Sequence, residues 1–292
     1  MHNFTEIYKR ILEVLQKFFP KRLLPFQPRR PKLSDLELIG LCLTSEYLAL
    51  DSENDLFRKL PVSLSCKIER SVYNRRKRRL FPHIESIRMK LASSFDEFED
   101  VFIVDSMPLE ICKLSRSGRS TICKKEPESS PNKGYCASQK MSYYGYKLHA
   151  VCSIKGVVRS LDISPASVHD IHFLKDIKTQ IRNCTILADK GYLSSSIQID
   201  LFNTCRIQLE TPMRKNQKDY KKQPYIFRKS RKRIETLFSQ LCDQFMIRRN
   251  YAKSFEGFKT RVLAKVTALT VVQYINKFIF EREINKIKVS II

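Results

Sequence analysis

The sequence predicts an α/β protein whose first third is helical. Three observations carry that expectation. Between residues 4 and 95 the apolar residues recur at helical spacing. Two short apolar runs then end in carboxylates, Asp105 and Asp189, with an alternating hairpin between them. Finally, Ile234, Leu237, Phe238, Leu241 and Phe245 fall on one stripe of a helix that carries Glu235 at its border.

In chain order, Ile7, Ile11, Leu12, Val14, Leu15 and Phe18 make a first amphipathic helix, stopped by Pro20. A connector rich in Pro and Arg covers 25–31. Ser34-Asp35-Leu36-Glu37 has the form of a capping box and opens a helix through Leu50. Ser52 repeats the cap before a short helix ending near Pro61, and Ser65 opens another that runs into Asn74-Arg75-Arg76-Lys77-Arg78-Arg79. Three short helices with the last one basic are similar to a helix-turn-helix arrangement.

After the acidic stretch 95–100, the run 101–105 reads as a buried strand ending at Asp105. Residues 115–140 lack periodicity and read as a long basic loop. A hairpin follows, 146–151 and 157–163 around a turn at 153–156. Asp170 has the position of a helix N-terminal acid, favoured there by the dipole, and that role accounts for it. The strand 184–189 ends in Asp189, followed by a Gly turn, a helix from Ser194 to Phe202, and a strand at 207–209. Between Arg214 and Arg233 stand ten Lys or Arg and one acid, Asp219. One or two amphipathic helices close the chain over 255–280.

The 292 residues carry 54 Lys+Arg against 30 Asp+Glu, a net charge of +24. That excess calls for a polyanionic partner, most simply DNA or RNA, bound in a salt-sensitive way. With 42% hydrophobic residues the chain can bury a core. The longest uncharged run of the C-terminal region, 266–276, is too short to span a bilayer. The N-terminal residues, with Glu6, Lys9 and Arg10, lack the apolar core of a signal peptide, and a cytoplasmic location is expected. Nine scattered cysteines form no Cys-x-x-Cys pair, so they read as reduced and mostly buried. His169 and His172 have no further ligand at metal spacing beside them and read as structural.

Two aspartates at the ends of buried strands can be neighbours in a sheet, and a helix packed across that sheet can bring Glu235 beside them. Three clustered carboxylates repel and call for cations, and hard oxygen ligands select Mg²⁺ or Mn²⁺. Two such ions suit in-line phosphoryl transfer. The alternative for Glu235 alone is an i,i+4 pair with Arg231. Arg75, Arg76, Lys77, Arg78 and Arg79 form a candidate phosphate-contacting surface, with Lys190, Arg228, Arg231 and Lys232 as further candidates near the acids. Tyr192 reads either as an aromatic near the nucleic acid or as a turn residue closing the core.

Most of the chain resembles the DDE-type transposases of bacterial insertion sequences. The residues that carry the resemblance are Val104-Asp105-Ser106-Met107-Pro108, Gly134-Tyr135-Cys136-Ala137-Ser138, Tyr144-Gly145-Tyr146-Lys147-Leu148-His149, Ser164-Pro165-Ala166-Ser167-Val168-His169-Asp170, Leu187-Ala188-Asp189-Lys190-Gly191-Tyr192 and Ile234-Glu235-Thr236-Leu237-Phe238-Ser239-Gln240-Leu241. The last is similar to the insertion-sequence group numbered 982. A neighbouring family's Tyr-x-x-Arg-x-x-x-Glu-x-x-x-x-x-x-Lys signature is matched at Arg231 and Glu235, but Arg228 and Cys242 stand at its Tyr and Lys positions.

The resemblance implies a ribonuclease H-like mixed sheet flanked by helices, with an all-α N-terminal DNA-binding region. It implies Asp105, Asp189 and Glu235 as catalytic, metal-binding acids with two Mg²⁺ or Mn²⁺ ions. The implied domains are 1–97 for DNA binding, 98–250 for the catalytic core with a basic loop at 113–141, and 251–292 as C-terminal helices on that core. The implied activity is cleavage at element ends and strand transfer into target DNA, by a homodimer on DNA in a bacterial, nucleoid-associated setting. The alternatives are a nuclease of the same core and a DNA-binding regulator without catalysis.

Overall fold

The computed structural model describes residues 3–25, 30–95, 100–213, 216 and 220–292. Parts of the connector 25–31, of the acidic stretch 95–100 and of the basic segment 214–233 lie outside the described residues. The chain divides into two units, 1–95 together with 240–292, and 96–239.

The first unit opens with six helices: α1 (Phe4–Gln16), α2 (Asp35–Tyr47), α3 (Glu53–Lys59), α4 (Val62–Ser65), α5 (Arg70–Arg79) and α6 (Phe81–Ser93). The capping box forms as its sequence dictates: Ser34 Oγ accepts the Glu37 N–H, and Glu37 accepts the Ser34 N–H. Ser52 caps α3 through the Asp55 N–H. Ser65 does not open the basic helix. It ends α4, and α5 starts behind Glu69, which makes no side-chain cap. The apolar residues Leu60, Leu64 and Ile68 are all buried, so the chain turns inward twice where local spacing suggested one helix.

The second unit holds β1 (Val101–Cys112), β2 (Asn132–Cys136), β3 (Met141–Ser153), β4 (Val158–Pro165), α7 (Phe173–Ile177), β5 (Cys184–Leu187), α8 (Ser195–Cys205), β6 (Ile207–Glu210) and most of α9 (Tyr225–Asp243). One mixed sheet has the order β2-β3-β1-β5-β6, with β4 also on β3. β2 and β4 lie end to end along the same edge of β3, pairing with Met141–Gly145 and with Tyr146–Cys152. Gly145 marks the junction. Its φ is 156°, and a Cβ there would stand 2.2 Å from the Leu109 carbonyl oxygen, so only glycine lets β1 and β3 approach so closely.

Two expectations are corrected here. β1 does not stop at Asp105 but continues to Cys112, because β3 pairs with it along that whole length. β5 covers only Val101–Ile103, and beyond it β1 has an open side where Pro108 is tolerated without its N–H. The basic loop also contains a strand, β2, which satisfies the edge of β3 despite having no apolar alternation of its own.

Phe102, Val104 and Val151 of the sheet pack with Phe173, Leu174, Ile177, Tyr192 and Leu201 in one core. By strand alternation Ser106 continues the face of Phe102 and Val104, and Asp105 points the other way. On α9, Ile234, Leu237 and Phe238 are buried, and the Arg233 guanidinium lies against Gly156 (φ 87°) in the β3–β4 turn.

The last helix, α10 (Phe255–Phe278), belongs to the first unit and packs on α6, α2, α1 and α5. It is buried almost all round, not on one stripe. Lys265, 1% exposed, donates to the Phe245 carbonyl at 2.6 Å and pairs with Glu46 at 2.6 Å, and Arg261 also pairs with Glu46 at 3.2 Å. None of the nine cysteines is joined in a disulfide among the described residues. Among the described residues no helix is long and apolar enough to cross a membrane.

Candidate active site

The parallel pairing of β1 with β5 sets Ile103 opposite Leu187. Asp105 and Asp189 each follow two residues later, so the register carries both carboxylates to the same end of adjacent strands. Each has one oxygen fixed locally. The Ser106 N–H donates to Asp105 Oδ1 at 2.8 Å, and the Gly191 N–H donates to Asp189 Oδ1 at 2.7 Å as the chain turns through Lys190–Tyr192.

Burial pushes the Asp105 carboxyl up to about 7. The Ser106 N–H and the Arg231 guanidinium oppose that rise, while Asp189 and Asp170 add to it by like-charge repulsion. Asp105 therefore feels the charges of both Asp189 and Arg231 of α9.

Asp170 stands where the sequence put it, in the first turn of the short helix Asp170–His172, behind the cap His169, whose Nδ1 accepts the Ile171 N–H at 3.3 Å. What the sequence did not show is that its carboxylate turns to the sheet. Its Oδ1 accepts Ser106 Oγ at 3.0 Å and Lys147 Nζ at 2.9 Å, and Lys147 also donates to the Val168 carbonyl at 2.8 Å. The one hint in the sequence is that Ser106, Lys147 and Asp170 all fall inside the stretches that carry the transposase resemblance.

Two further side chains close this region. His149, 1% exposed, bonds Ser164 through Nε2 at 2.7 Å and stacks on Phe173, with its Nδ1 3.9 Å from Asp170. Burial above all, helped by Lys147 and opposed by Asp170, lowers its imidazole to about 4, so it is neutral near pH 7. Tyr192 is wholly buried in the core, which settles its two readings in favour of the residue that closes the core. Burial raises its phenol well above the ordinary range, with Asp170, Asp105 and Asp189 adding to the rise. Its hydroxyl faces Ser106 but lacks hydrogen-bond geometry to any partner.

Glu235 lies on α9 one turn after Arg231. It is exposed, and among the described residues it makes no ion pair, so the Arg231–Glu235 pair does not form. Among the described residues no three His, Cys, Asp or Glu side chains stand close enough together to hold a metal ion.

Of the other basic candidates, Lys190, Arg228 and Lys232 are exposed, with Arg228 over the Tyr225 ring at 5.8 Å. In the helical unit Arg75, Arg78 and Arg79 are exposed as well. Arg76 and Lys77 turn inward. Arg76 bonds the buried Asp35 at 2.8 Å and the Leu33 carbonyl at 2.9 Å, and Lys77 bonds Glu53 at 2.6 Å. These two tie α5 to α2 and α3.

The mixed sheet thus carries two aspartates on adjacent parallel strands, in a chain of charge +24. Residues 96–271 match the family described as Transposase DDE domain. The chain belongs to that family: it carries a transposase domain, and DNA is the partner such a domain implies. No curated protein matches the chain.

DDE transposases generally use divalent metal ions. The donor chemistry here fits such an ion at Asp105 and Asp189. Both are hard oxygen donors, and among the described residues no hydrogen bond reaches the second oxygen of either.

Proposed function

We propose that this protein is a DNA transposase of an insertion sequence, similar to the group numbered 982, which cleaves DNA at the element ends and joins the released strand to target DNA. The observation that carries the reading is the parallel register of β1 and β5, with Asp105 and Asp189 each two residues beyond the Ile103–Leu187 pair. The sheet order supports a ribonuclease H-like core: an antiparallel β4-β3-β1 portion continues into the parallel strands β5 and β6.

In this reading Asp105 and Asp189 hold Mg²⁺ or Mn²⁺, and Glu235 completes the set from α9. Arg231, one turn earlier on α9, lowers the Asp105 carboxyl electrostatically, which supports an approach of this helix to the two aspartates. A bound pair of ions supplies charge stabilisation to the phosphoryl group and makes the attacking oxygen more nucleophilic. In the first reaction water attacks the phosphorus at the element end and the 3′-oxygen leaves. In the second, that 3′-hydroxyl attacks a target phosphorus, and a target 3′-oxygen leaves.

Lys190, Arg228 and Lys232 contact the phosphate backbone near the acids, positioning the strand without reading it. The helical N-terminal region binds the element ends with Arg75, Arg78 and Arg79, the members of the basic run whose charges point outward. Element ends come in pairs, and a homodimer on DNA matches that symmetry.

A cleavage and joining assay tests this. The substrate is labelled DNA carrying the repeats that flank the gene, with Mg²⁺ or Mn²⁺, beside Asp189→Asn. The expected result is metal-dependent nicking at the repeat end and a joined product, both absent in the variant. Nicking without joining leaves a nuclease. Binding with neither, in both proteins, removes the assigned roles of the three acids.

A further inference from the structure

We infer that Asp170 is a positioning residue for Asp105, acting across strand β1 through Ser106. The inference rests on the reading of Asp105 as a metal-holding acid and adds a residue which that reading does not use.

Ser106 is bound on both sides of the strand. Its N–H donates to Asp105 Oδ1 at 2.8 Å, and its hydroxyl donates to Asp170 Oδ1 at 3.0 Å. Asp170 is itself anchored by Lys147 of β3 at 2.9 Å, and Lys147 is anchored by the Val168 carbonyl at 2.8 Å. The tie falls where β1 needs one. Beyond Ile103 the strand has lost β5, and β3 alone pairs with it. A strand held along one side can slide and tilt, and Asp105 sits two residues past the end of that support.

Two buried polar groups aim into the same place. Tyr192, wholly buried, turns its unpartnered hydroxyl toward Ser106, and His149, 1% exposed, has its unpartnered Nδ1 3.9 Å from Asp170 Oδ1. Such an arrangement suits a carboxylate that must settle when it takes a ligand.

Asp170 does not do this as a ligand. Ser106 faces the core side of the sheet with Phe102 and Val104, whereas Asp105 faces the opposite way, so Asp170 lies behind the strand that carries Asp105. Outer partners that orient a metal ligand typically change metal affinity about 10–100-fold when removed.

The test is Mn²⁺ binding to the full chain, read by titration calorimetry without DNA. Wild type is compared with Asp170→Asn, Ser106→Ala and the double variant, each with its melting temperature. The expected result is a loss of about 10–100-fold in each single variant, with the double variant no worse than the weaker single. Unchanged binding in a folded Asp170→Asn overturns the inference while leaving the metal reading standing. A loss in Asp170→Asn with none in Ser106→Ala overturns the route through Ser106 and makes Asp170 a ligand. If Asp170→Asn fails to fold, Ser106→Ala decides alone, and its unchanged binding is overturning. No Mn²⁺ binding to wild type removes the metal reading itself, and this inference with it.

Discussion

Asp105 and Asp189 are neighbours because Ile103 and Leu187 are paired in the parallel register of β1 and β5, and each acid follows its strand residue by two positions. Their proximity is a property of the pairing. A slip of one residue would turn one acid to the other face of the sheet. Burial puts the Asp105 carboxylate under electrostatic strain, and the charges of Asp189 and Asp170 add to it.

Relief of that strain is the first expected outcome. In a chelator at neutral pH, Asp105→Asn should be as stable as wild type or more stable, by about 1–2 kcal/mol, since it removes a buried charge from a like-charged group. Divalent cations should raise the melting temperature of wild type but not of the variant. Urea unfolding with and without Mn²⁺ checks both.

Acid sensitivity should report His149. Its folded value lies at about 4, below the 6.5 of an exposed histidine, because it is buried. Above that ordinary value both folded and unfolded chains hold it neutral, and it contributes no pH dependence. As the pH falls toward 4 the unfolded chain takes up a proton that the folded chain refuses, so stability falls through this window by on the order of 1–3 kcal/mol. His149→Gln should flatten that part of the profile in urea unfolding measured between pH 4 and 7.

The basic run of α5 should separate into two kinds of residue. Replacing Arg75, Arg78 and Arg79 by Ala should leave the melting temperature within about 1–2 °C and weaken DNA binding. The dependence of log affinity on log salt should fall by about one unit per lost phosphate contact. Arg76→Ala should instead destabilise by about 1.5–3 kcal/mol, since it takes the guanidinium from Asp35, which is 1% exposed and keeps the Leu23 and Leu24 N–H groups. Fluorescence anisotropy at several salt concentrations, beside thermal melts, distinguishes them.

Gly145→Ala should be among the most damaging single substitutions. The added Cβ meets the Leu109 carbonyl oxygen at 2.2 Å, and both partners are backbone in paired strands. A loss of about 3 kcal/mol or more, or failure to fold, is expected. Urea midpoints check it, and Gly118→Ala is the control, because a Cβ at Gly118 meets nothing within 4 Å.

Much of the architecture was legible before any coordinates. The caps at Ser34 and Ser52 formed because a side-chain oxygen needs only an N–H three residues away. The apolar runs before Asp105 and Asp189 became strands because each is short, β-rich and buried on both faces. β2 was not legible, because Asn132, Lys133 and Gly134 carry no strand preference and pair only where β3 offers its edge. Arg76 and Lys77 read as surface charge because Asp35 and Glu53, which bind them, lie far away in sequence.

By itself, then, the sequence determined the periodicities, the helix starts, the excess of positive charge and the presence of acids at the ends of apolar runs. These depend on interactions within a few residues or on composition alone. The tertiary structure decided which strands bring acids together, which cations are paired, and that Asp170, at its helix start, reaches Ser106 and Lys147. Those outcomes depend on strand register and on contacts between segments far apart in the chain, whose geometry exists only once the sheet has closed.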